Sequence, residues 1–220
     1  MSKHTCGAAV FVKTIGNTPL KTRLAKGVGE AHAHDFYRLS CAAVQSVLEQ
    51  SPGVKGYWSV AEGEVAFEHW AGLEAMGQGQ GSLGERLDYV YQALLKNHRF
   101  AALLGADAPQ ICPEVFANAL ELARGGNFVM GPAEDGGFYL LLGSKPIPSD
   151  VWTRVPYSHP DTGQLLCAEL QSIADVEMLE PLADVDEQED LARLGAELRV
   201  LQEPLPSQVR LLQWLDDLSL

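Results

Sequence analysis

Positive charge is scarce in this sequence. Sixteen Lys and Arg face 29 Asp and Glu, for a formal net charge of −13. Outside the N-terminal stretch no basic face remains, which argues against a nucleic-acid partner and against an anionic membrane surface. Long apolar runs are missing too: nothing approaches the roughly 18 consecutive apolar residues of a membrane span. The apolar run after Lys3 breaks at Lys13, too early for the h-region of a signal peptide, so the expectation is a cytoplasmic protein. Cysteine is sparse and scattered. Cys6, Cys41, Cys112 and Cys167 form no C-x-x-C pair and read as free, mostly buried thiols of a reducing compartment. Three signatures are absent: the G-x-x-x-x-G-K-[ST] phosphate loop, the G-x-G-x-x-G dinucleotide fingerprint and the G-x-S-x-G nucleophile elbow.

What is present begins at the N-terminus. Residues 1–29 hold five basic side chains (Lys3, Lys13, Lys21, Arg23 and Lys26) and no acid. Ala8-Ala9-Val10-Phe11-Val12 reads as a buried strand, Thr14 to Pro19 as a loop, and Leu20-Lys21-Thr22-Arg23-Leu24 as a cationic cluster before a helix. Strand, flexible loop and cations ahead of a helix are how α/β proteins hold phosphate. Lysines and arginines are also ordinary solvated surface residues, so the cluster alone decides nothing.

Strand-like and helix-like segments alternate along the rest of the chain. Helical spacing predicts a helix over 30–50, ended by Pro52-Gly53. A strand follows over 54–61, and 62–80 is ambiguous. Ser82-Leu83-Gly84-Glu85 fits a capping box opening a helix to about Lys96. Further strands are expected over 100–104, 128–130, 138–142 and 176–179. Further helices are expected over 113–124, 162–173, 186–198 and 207–218. Such alternation implies a mostly parallel sheet with helices on both faces, a three-layer α/β/α domain. In such sheets ligands bind beyond the carboxyl ends of the strands. We expect one domain over 1–200 and a C-terminal helical extension over 201–220. The leucine stripe of the last helix packs either on its own domain or on a second subunit, as in a homodimer.

Four groups of residues could carry chemistry. Asp107 ends an apolar strand and is either a ligand for Mg²⁺ or Mn²⁺ or a cap for the turn before the next helix. Glu134-Asp135-Gly136-Gly137 sets two carboxylates and two glycines between apolar strands. It is either a ligand pocket, where Gly136 and Gly137 allow close backbone approach, or a hairpin turn. His159, beside Asp161, is either a late ligand or proton shuttle, or solvated, with Asp161 or Thr162 capping the next helix. The run Asp184 to Asp190 most simply caps a helix, with a metal role for Asp184 or Asp186 as the alternative. His32 and His34 diverge on a helix and read as surface.

Five segments occur in order: Lys-Thr-Arg-Leu-Ala at 21–25, Gly-Ala-Asp-Ala-Pro at 105–109, Gly-Pro-Ala-Glu-Asp-Gly-Gly-Phe-Tyr-Leu at 131–140, Val-Pro-Tyr-Ser at 155–158 and Asp-Val-Asp-x-x-x-Asp-Leu at 184–191. Together they resemble the glycosyltransferase-like family known as radical-SAM/selenodomain-associated transferases. That family lies within the GT-A nucleotide-diphospho-sugar transferase superfamily, whose fold is Rossmann-like. The resemblance covers about residues 8–195 and implies that Lys21 and Arg23 contact phosphates, that Asp107 takes the metal-binding aspartate's place, and that Glu134 and Asp135 lie in the acceptor or sugar pocket. Two departures stand out: Thr18-Pro19-Leu20 precedes the basic triplet where the family has Pro-Gly, and Ser82 replaces an acid.

The expectation is therefore a metal-dependent transferase using a nucleotide-activated donor, a nucleotide sugar, with a small-molecule acceptor. Lys13, Lys21, Thr22 and Arg23 would bind the nucleotide's phosphates, Asp107 the Mg²⁺ or Mn²⁺, and Asp135 with Glu134 would handle the acceptor hydroxyl. Gly136, Gly137 and His159 would line the substrate pocket. Two alternatives stand beside it: a nucleotidyltransferase acting on an NTP and a phosphorylated small molecule, and a nucleotide-binding module that has lost catalysis.

Overall fold

The computed structural model describes residues 5–218. Seven strands form one sheet: β1 (Cys6–Val12), β2 (Val54–Val60), β3 (Glu74–Gly77), β4 (Phe100–Gly105), β5 (Phe128–Pro132), β6 (Phe138–Gly143) and β7 (Val176–Met178). Their order across the sheet is β3-β2-β1-β4-β6-β5-β7. The central strands β1 and β4 pair in parallel, Cys6 opposite Phe100, and both are buried on two faces. That is why they read as continuous apolar runs rather than as alternation.

One strand departs from the parallel rule. β6 runs antiparallel to both β4 and β5. The cause is local: only Ala133 to Gly137 separates β5 from β6, too short for a crossover, so the two form a hairpin. The turn reading of Glu134-Asp135-Gly136-Gly137 therefore holds, and the turn still projects into the cleft described below.

Eight α-helices accompany the sheet among the described residues: α1 (Thr22–Val28), α2 (Glu30–Gln50), α3 (Leu83–Leu95), α4 (Pro113–Ala123), α5 (Ser149–Arg154), α6 (Thr162–Gln171), α7 (Gln188–Val200) and α8 (Pro206–Asp217). α2 and α4 cover one face, burying Val44, Leu48 and Phe116 against Ala8, Val10 and Leu104. α3, α5 and α6 cover the other, burying Leu87, Trp152 and Leu166 against Ala9 and Leu103. A third cluster joins Leu24 of α1, Phe36 of α2, Leu194 of α7 and Leu211 of α8.

The capping box forms as read. Ser82 N–H and its hydroxyl donate to Glu85 Oε2, at 2.7 and 2.8 Å, and Glu85 N–H returns to Ser82 Oγ at 3.4 Å. The ambiguous 62–80 stretch resolves into a 3₁₀ turn, Gly63–His69, and the edge strand β3. α7 starts at Gln188 rather than near 186, because the Asp190 carboxylate accepts the N–H groups of Asp186 and Glu187. α8 lies on α2 and α7, and its buried Gln208 donates to the carbonyls of Pro109 and Ile111, both at 2.9 Å. Cys6 and Cys41 are buried, and burial pushes the Cys6 thiol up to about 12. No helix among the described residues is long and apolar enough to cross a membrane.

Candidate functional site

A cleft of about 550 Å³ opens where β1, β4 and β5 end and β6 begins. The antiparallel β6 brings its N-terminal residues, Gly137 to Tyr139, to the same edge as the carboxyl ends of the others. Two kinds of surface line the cleft. Arg23, Asp107, Asp135, Asp184 and Asp186 form one, and Phe11, Leu83, Leu87, Leu103, Phe138 and Tyr157 the other.

The acidic lobe is assembled by one stretch of chain. After β7 the backbone continues along β5: Leu179 N–H donates to Met130 O at 2.8 Å, Leu182 N–H to Pro132 O at 3.1 Å, and Glu134 N–H to Leu182 O at 3.1 Å. The Gln110 amide holds Ala183 O at 2.6 Å, and Val185 N–H donates to Asp107 O at 3.1 Å. So fixed, the extended segment turns Asp184 and Asp186 to one side, as residues two apart on an extended chain must. Oxygens of Asp135, Asp184 and Asp186 lie within 4.8 Å of one another. Burial, then the charges of Asp135, Asp186 and Asp107, pushes the Asp184 carboxyl up to about 6.

Lys21 ties this group together from below. It takes a left-handed backbone conformation (φ 49°, ψ 41°) at the start of α1, and its side chain is only 5% exposed. Its ammonium donates to Val185 O at 2.5 Å, pairs with Asp107 Oδ1 at 2.8 Å and reaches Asp186 Oδ1 at 3.6 Å. Burial alone would lower its pKa, but Asp107 above all, then Asp186 and Asp184, raise it, so the ammonium stays charged. Two of its partners are within hydrogen-bond distance, and the Asp186 carboxylate adds a charge contact. Arg23 also pairs with Asp186, from an exposed position on the cleft.

The residues expected from sequence are partly gathered here. Asp107, Asp135, Arg23, Gly137 and His159 line the cleft, and Lys21 underlies it. Asp135 accepts the Gly137 N–H at 2.8 Å. His159 Nδ1 accepts the Asp161 N–H at 3.2 Å and lies 3.6 Å from the Asp161 carboxylate. Asp161 stands at the N-cap of α6 without capping it through its side chain. The Thr162 hydroxyl instead closes the loop, donating to the carbonyls of Pro156 or His159.

Others are placed elsewhere. Glu134 does not support Asp135: its carboxylate makes a two-pronged ion pair with Arg193 of α7, and that hydrogen bonding holds the Glu134 carboxyl below its usual range. Adjacent residues of the turn face opposite ways. The Lys13 side chain is exposed away from the cleft, while its N–H donates to the Tyr37 hydroxyl at 3.0 Å. Thr22 lines a separate shallow hollow with Asn17, Thr18 and Lys26. Gly136 supports the site instead of lining it. At φ 91° it packs on the Pro160 carbonyl, where any Cβ would clash, and its own carbonyl accepts the Gly163 N–H at 2.7 Å.

Some of the site was missed from sequence. The simplest sequence reading of Asp184 and Asp186 is a helix cap, with a metal role as the alternative; Asp-x-Asp before the helix is the signal for the latter. Glu62 carries none: its carboxylate accepts the Thr14 N–H and hydroxyl and the Thr18 hydroxyl, bracing the loop after β1 from 48 and 44 residues away. As a cation site, the Asp135–Asp184–Asp186 group offers three hard oxygen donors in a crowded cluster, which suits Mg²⁺ or Mn²⁺. Asp107 stands beside that group, engaged by Lys21.

A family model described as "Uncharacterized protein conserved in bacteria (DUF2064)" matches residues 44–159, more than half of the chain. Among solved structures, the chain is similar to a candidate nucleotide-diphospho-sugar transferase from Desulfovibrio desulfuricans G20. The identity is 25%, the TM-score 0.86, and the match covers 98% of this chain and 96% of that one. A CMP:2-keto-3-deoxy-manno-octonic acid synthetase solved with CTP shares the fold at 14% identity and TM-score 0.56, over 89% of this chain and 98% of that one. So does the 4-diphosphocytidyl-2C-methyl-D-erythritol synthase of Anaerococcus prevotii DSM 20548, at 10% identity and TM-score 0.56, over 90% and 97%. No curated protein matches the sequence. The fold is that of the nucleotide-diphospho-sugar transferases, a mixed α/β domain with a mostly parallel seven-stranded sheet.

Proposed function

The chain belongs to the DUF2064 family, and we propose that it is a metal-dependent transferase using a nucleotide-activated donor, a nucleotide sugar. One observation carries the reading: Asp135, Asp184 and Asp186 converge in a cleft at the strand ends, with Arg23 beside them and Lys21 joining them to Asp107. The similarity to the Desulfovibrio protein supports a nucleotide sugar as donor.

Asp184 and Asp186 would hold Mg²⁺ or Mn²⁺. A divalent ion there supplies neutralisation of the donor's diphosphate. Arg23, exposed on the cleft, would bind the leaving diphosphate, and Lys21 would act indirectly, holding Asp107 and the 184–186 segment in place. Asp135 either completes the ligand set or takes the proton of the acceptor hydroxyl. Asp135→Asn separates these roles. A base variant loses kcat with its Mn²⁺ affinity intact, and a ligand variant loses Mn²⁺ affinity.

The primary test is thermal melting of the wild type and Asp186→Asn against nucleotides and nucleotide sugars, with and without Mn²⁺. A ligand at a hundredfold excess over Kd adds about 2.7 kcal/mol of stability. The expected result is Mn²⁺-dependent stabilisation by one nucleotide sugar, lost in the variant. Equal stabilisation without Mn²⁺ would remove the metal from the reading. Pyrophosphate release from an NTP would make the protein a nucleotidyltransferase instead.

A further inference from the structure

We propose that the acceptor is an alcohol with an uncharged apolar body, aromatic or alicyclic, and that it carries no phosphate. The inference rests on the transferase reading above and names the second substrate of that same cleft.

Charge is the first ground. Four carboxylates line the cleft (Asp107, Asp135, Asp184 and Asp186) against one guanidinium, that of Arg23. Lys21 adds a buried positive charge already held by Asp107 and the Val185 carbonyl. A divalent ion together with Arg23 and Lys21 only balances these four carboxylates. The donor's diphosphate then adds negative charge of its own. A second phosphate would enter with no cation to meet it, beside like charges in a partly desolvated cleft. Arg and Lys are the strongest side-chain partners of a phosphate, and among the described residues the cleft lining offers only Arg23 of that kind.

The apolar lobe is the second ground. Phe11, Phe138 and Tyr157, each partly exposed, pack on the buried Leu87 and Leu103 behind them, so the apolar side of the cleft is backed by the core. Leu83, one turn before Leu87 on α3, is 44% exposed at its edge, a large apolar side chain left without cover. The tyrosines present carbon as well. Tyr157's hydroxyl is buried and without a hydrogen-bond partner among the described residues, so the ring carbons meet the cleft. Tyr139's hydroxyl donates to Glu180 O at 3.1 Å. A sugar acceptor, with a hydroxyl on most carbons, would find few partners on this wall, since the Thr162 hydroxyl is also committed to its own loop.

In the reaction, the acceptor's hydroxyl oxygen bonds to the anomeric carbon of the donor sugar. The bond from that carbon to the diphosphate breaks, its electron pair leaving on the diphosphate. The hydroxyl proton passes to a carboxylate or to water.

The test follows nucleoside diphosphate release from the donor found by melting. Benzyl alcohol, cyclohexylmethanol and larger aryl alcohols are compared with glucose, glucose 6-phosphate and glycerol 3-phosphate, over the acceptor-free hydrolysis rate. Apolar alcohols are expected to raise release at least tenfold, and the phosphorylated compounds not at all. Leu83→Gln, at a partly exposed position that tolerates a polar residue, is expected to raise the acceptor KM tenfold and keep the Mn²⁺-dependent donor shift. Preference for a phosphorylated acceptor overturns the inference. So does silence from every apolar alcohol while the donor binds and hydrolyses. A Leu83→Gln enzyme that loses donor affinity but not acceptor affinity assigns the apolar lobe to the donor's base and overturns it as well. Absence of any Mn²⁺-dependent donor shift in the wild type is a different failure: it overturns the transferase reading, and the acceptor inference with it.

Discussion

Lys21 is a buried cation in a strained backbone conformation that touches two carboxylates and a carbonyl. Removing its charge by Lys21→Met leaves Asp107 and Asp186 facing each other without it. Breaking a fully buried pair costs about 3–5 kcal/mol. Asp107's side chain is 45% exposed and Asp186's 29%, so solvent recovers part of this and about 2 kcal/mol is expected. At this chain length that is a fall of about 4–8 °C in Tm, measurable by calorimetry. Loss of stability together with loss of nucleotide binding would support the positioning role. A variant that melts like the wild type would contradict the buried clamp.

Asp184 makes a second residue-scale prediction. Burial and the neighbouring carboxylates raise its folded carboxyl from the ordinary 3.8 to about 6. A raised carboxyl pKa means the folded state binds the proton more tightly than the unfolded chain. This group's contribution is therefore fully present below 3.8 and is lost as pH rises through 6. At pH 7.5 the metal-free protein thus bears an unfavourable charge at Asp184. Asp184→Asn should stabilise the metal-free protein at pH 7.5, with the gain shrinking toward pH 5. Mn²⁺ affinity of the wild type should fall over the same window, as protons compete for the ligand. Isothermal titration with Mn²⁺ at a series of pH values reads this directly, and a flat affinity between pH 5 and 7.5 would remove Asp184 from the ligand set.

At the scale of elements, α3 carries Leu83 and Leu87 to the cleft, and its first turn is held twice. The Ser82–Glu85 capping box satisfies the Ser82 and Glu85 N–H groups. Gly84 then lies so close to α5 that a Cβ would stand 2.5 Å from the Trp152 carbonyl and 2.9 Å from the Tyr157 ring. Ser82→Ala should cost about 1 kcal/mol. Gly84→Ala should cost more, about 1–3 kcal/mol, because a backbone carbonyl cannot step aside as a side chain can. Chemical denaturation of the two variants gives the order, and Gly84→Ala melting above Ser82→Ala would refute it.

The β5–β6 hairpin shows the limit of reading elements one by one. Asp-Gly announced a turn, and the apolar runs on either side announced strands. Both signals were local and correct. That β6 would insert between β4 and β5, and so bring Gly137 and Phe138 to the acidic edge, depends on pairing with a strand far earlier in the chain, Leu104 against Leu140 among others, which no local pattern contains.

At the scale of the molecule, α8 joins the third core cluster rather than trailing from the domain. Leu211 is fully buried, and Gln208 bonds the loop that follows β4. We expect Leu211→Ala to cost about 2–5 kcal/mol. A chain ending before Leu205 should lose cooperative unfolding, seen as loss of near-ultraviolet circular dichroism. A truncated chain with an unchanged melting curve would support a division at residue 200.

Sequence alone determined the alternation of strands and helices, and with it the edge on which a ligand would bind. Periodicity, capping boxes and apolar runs are short-range properties, written within one or two turns of chain. It also delivered the residue types, cations in the N-terminal loop and carboxylates after later strands. Only the tertiary structure decided which of them are neighbours. It set Lys21 against Val185, 164 residues away, and turned Asp135 inward while sending Glu134 to Arg193. It brought Asp184 and Asp186 together with Asp135, beside the Lys21–Asp107 pair. The physical reason is that side-chain direction at a strand's end is set by long-range hydrogen bonds and packing, and a charge's partner is whatever the fold brings within a few ångströms.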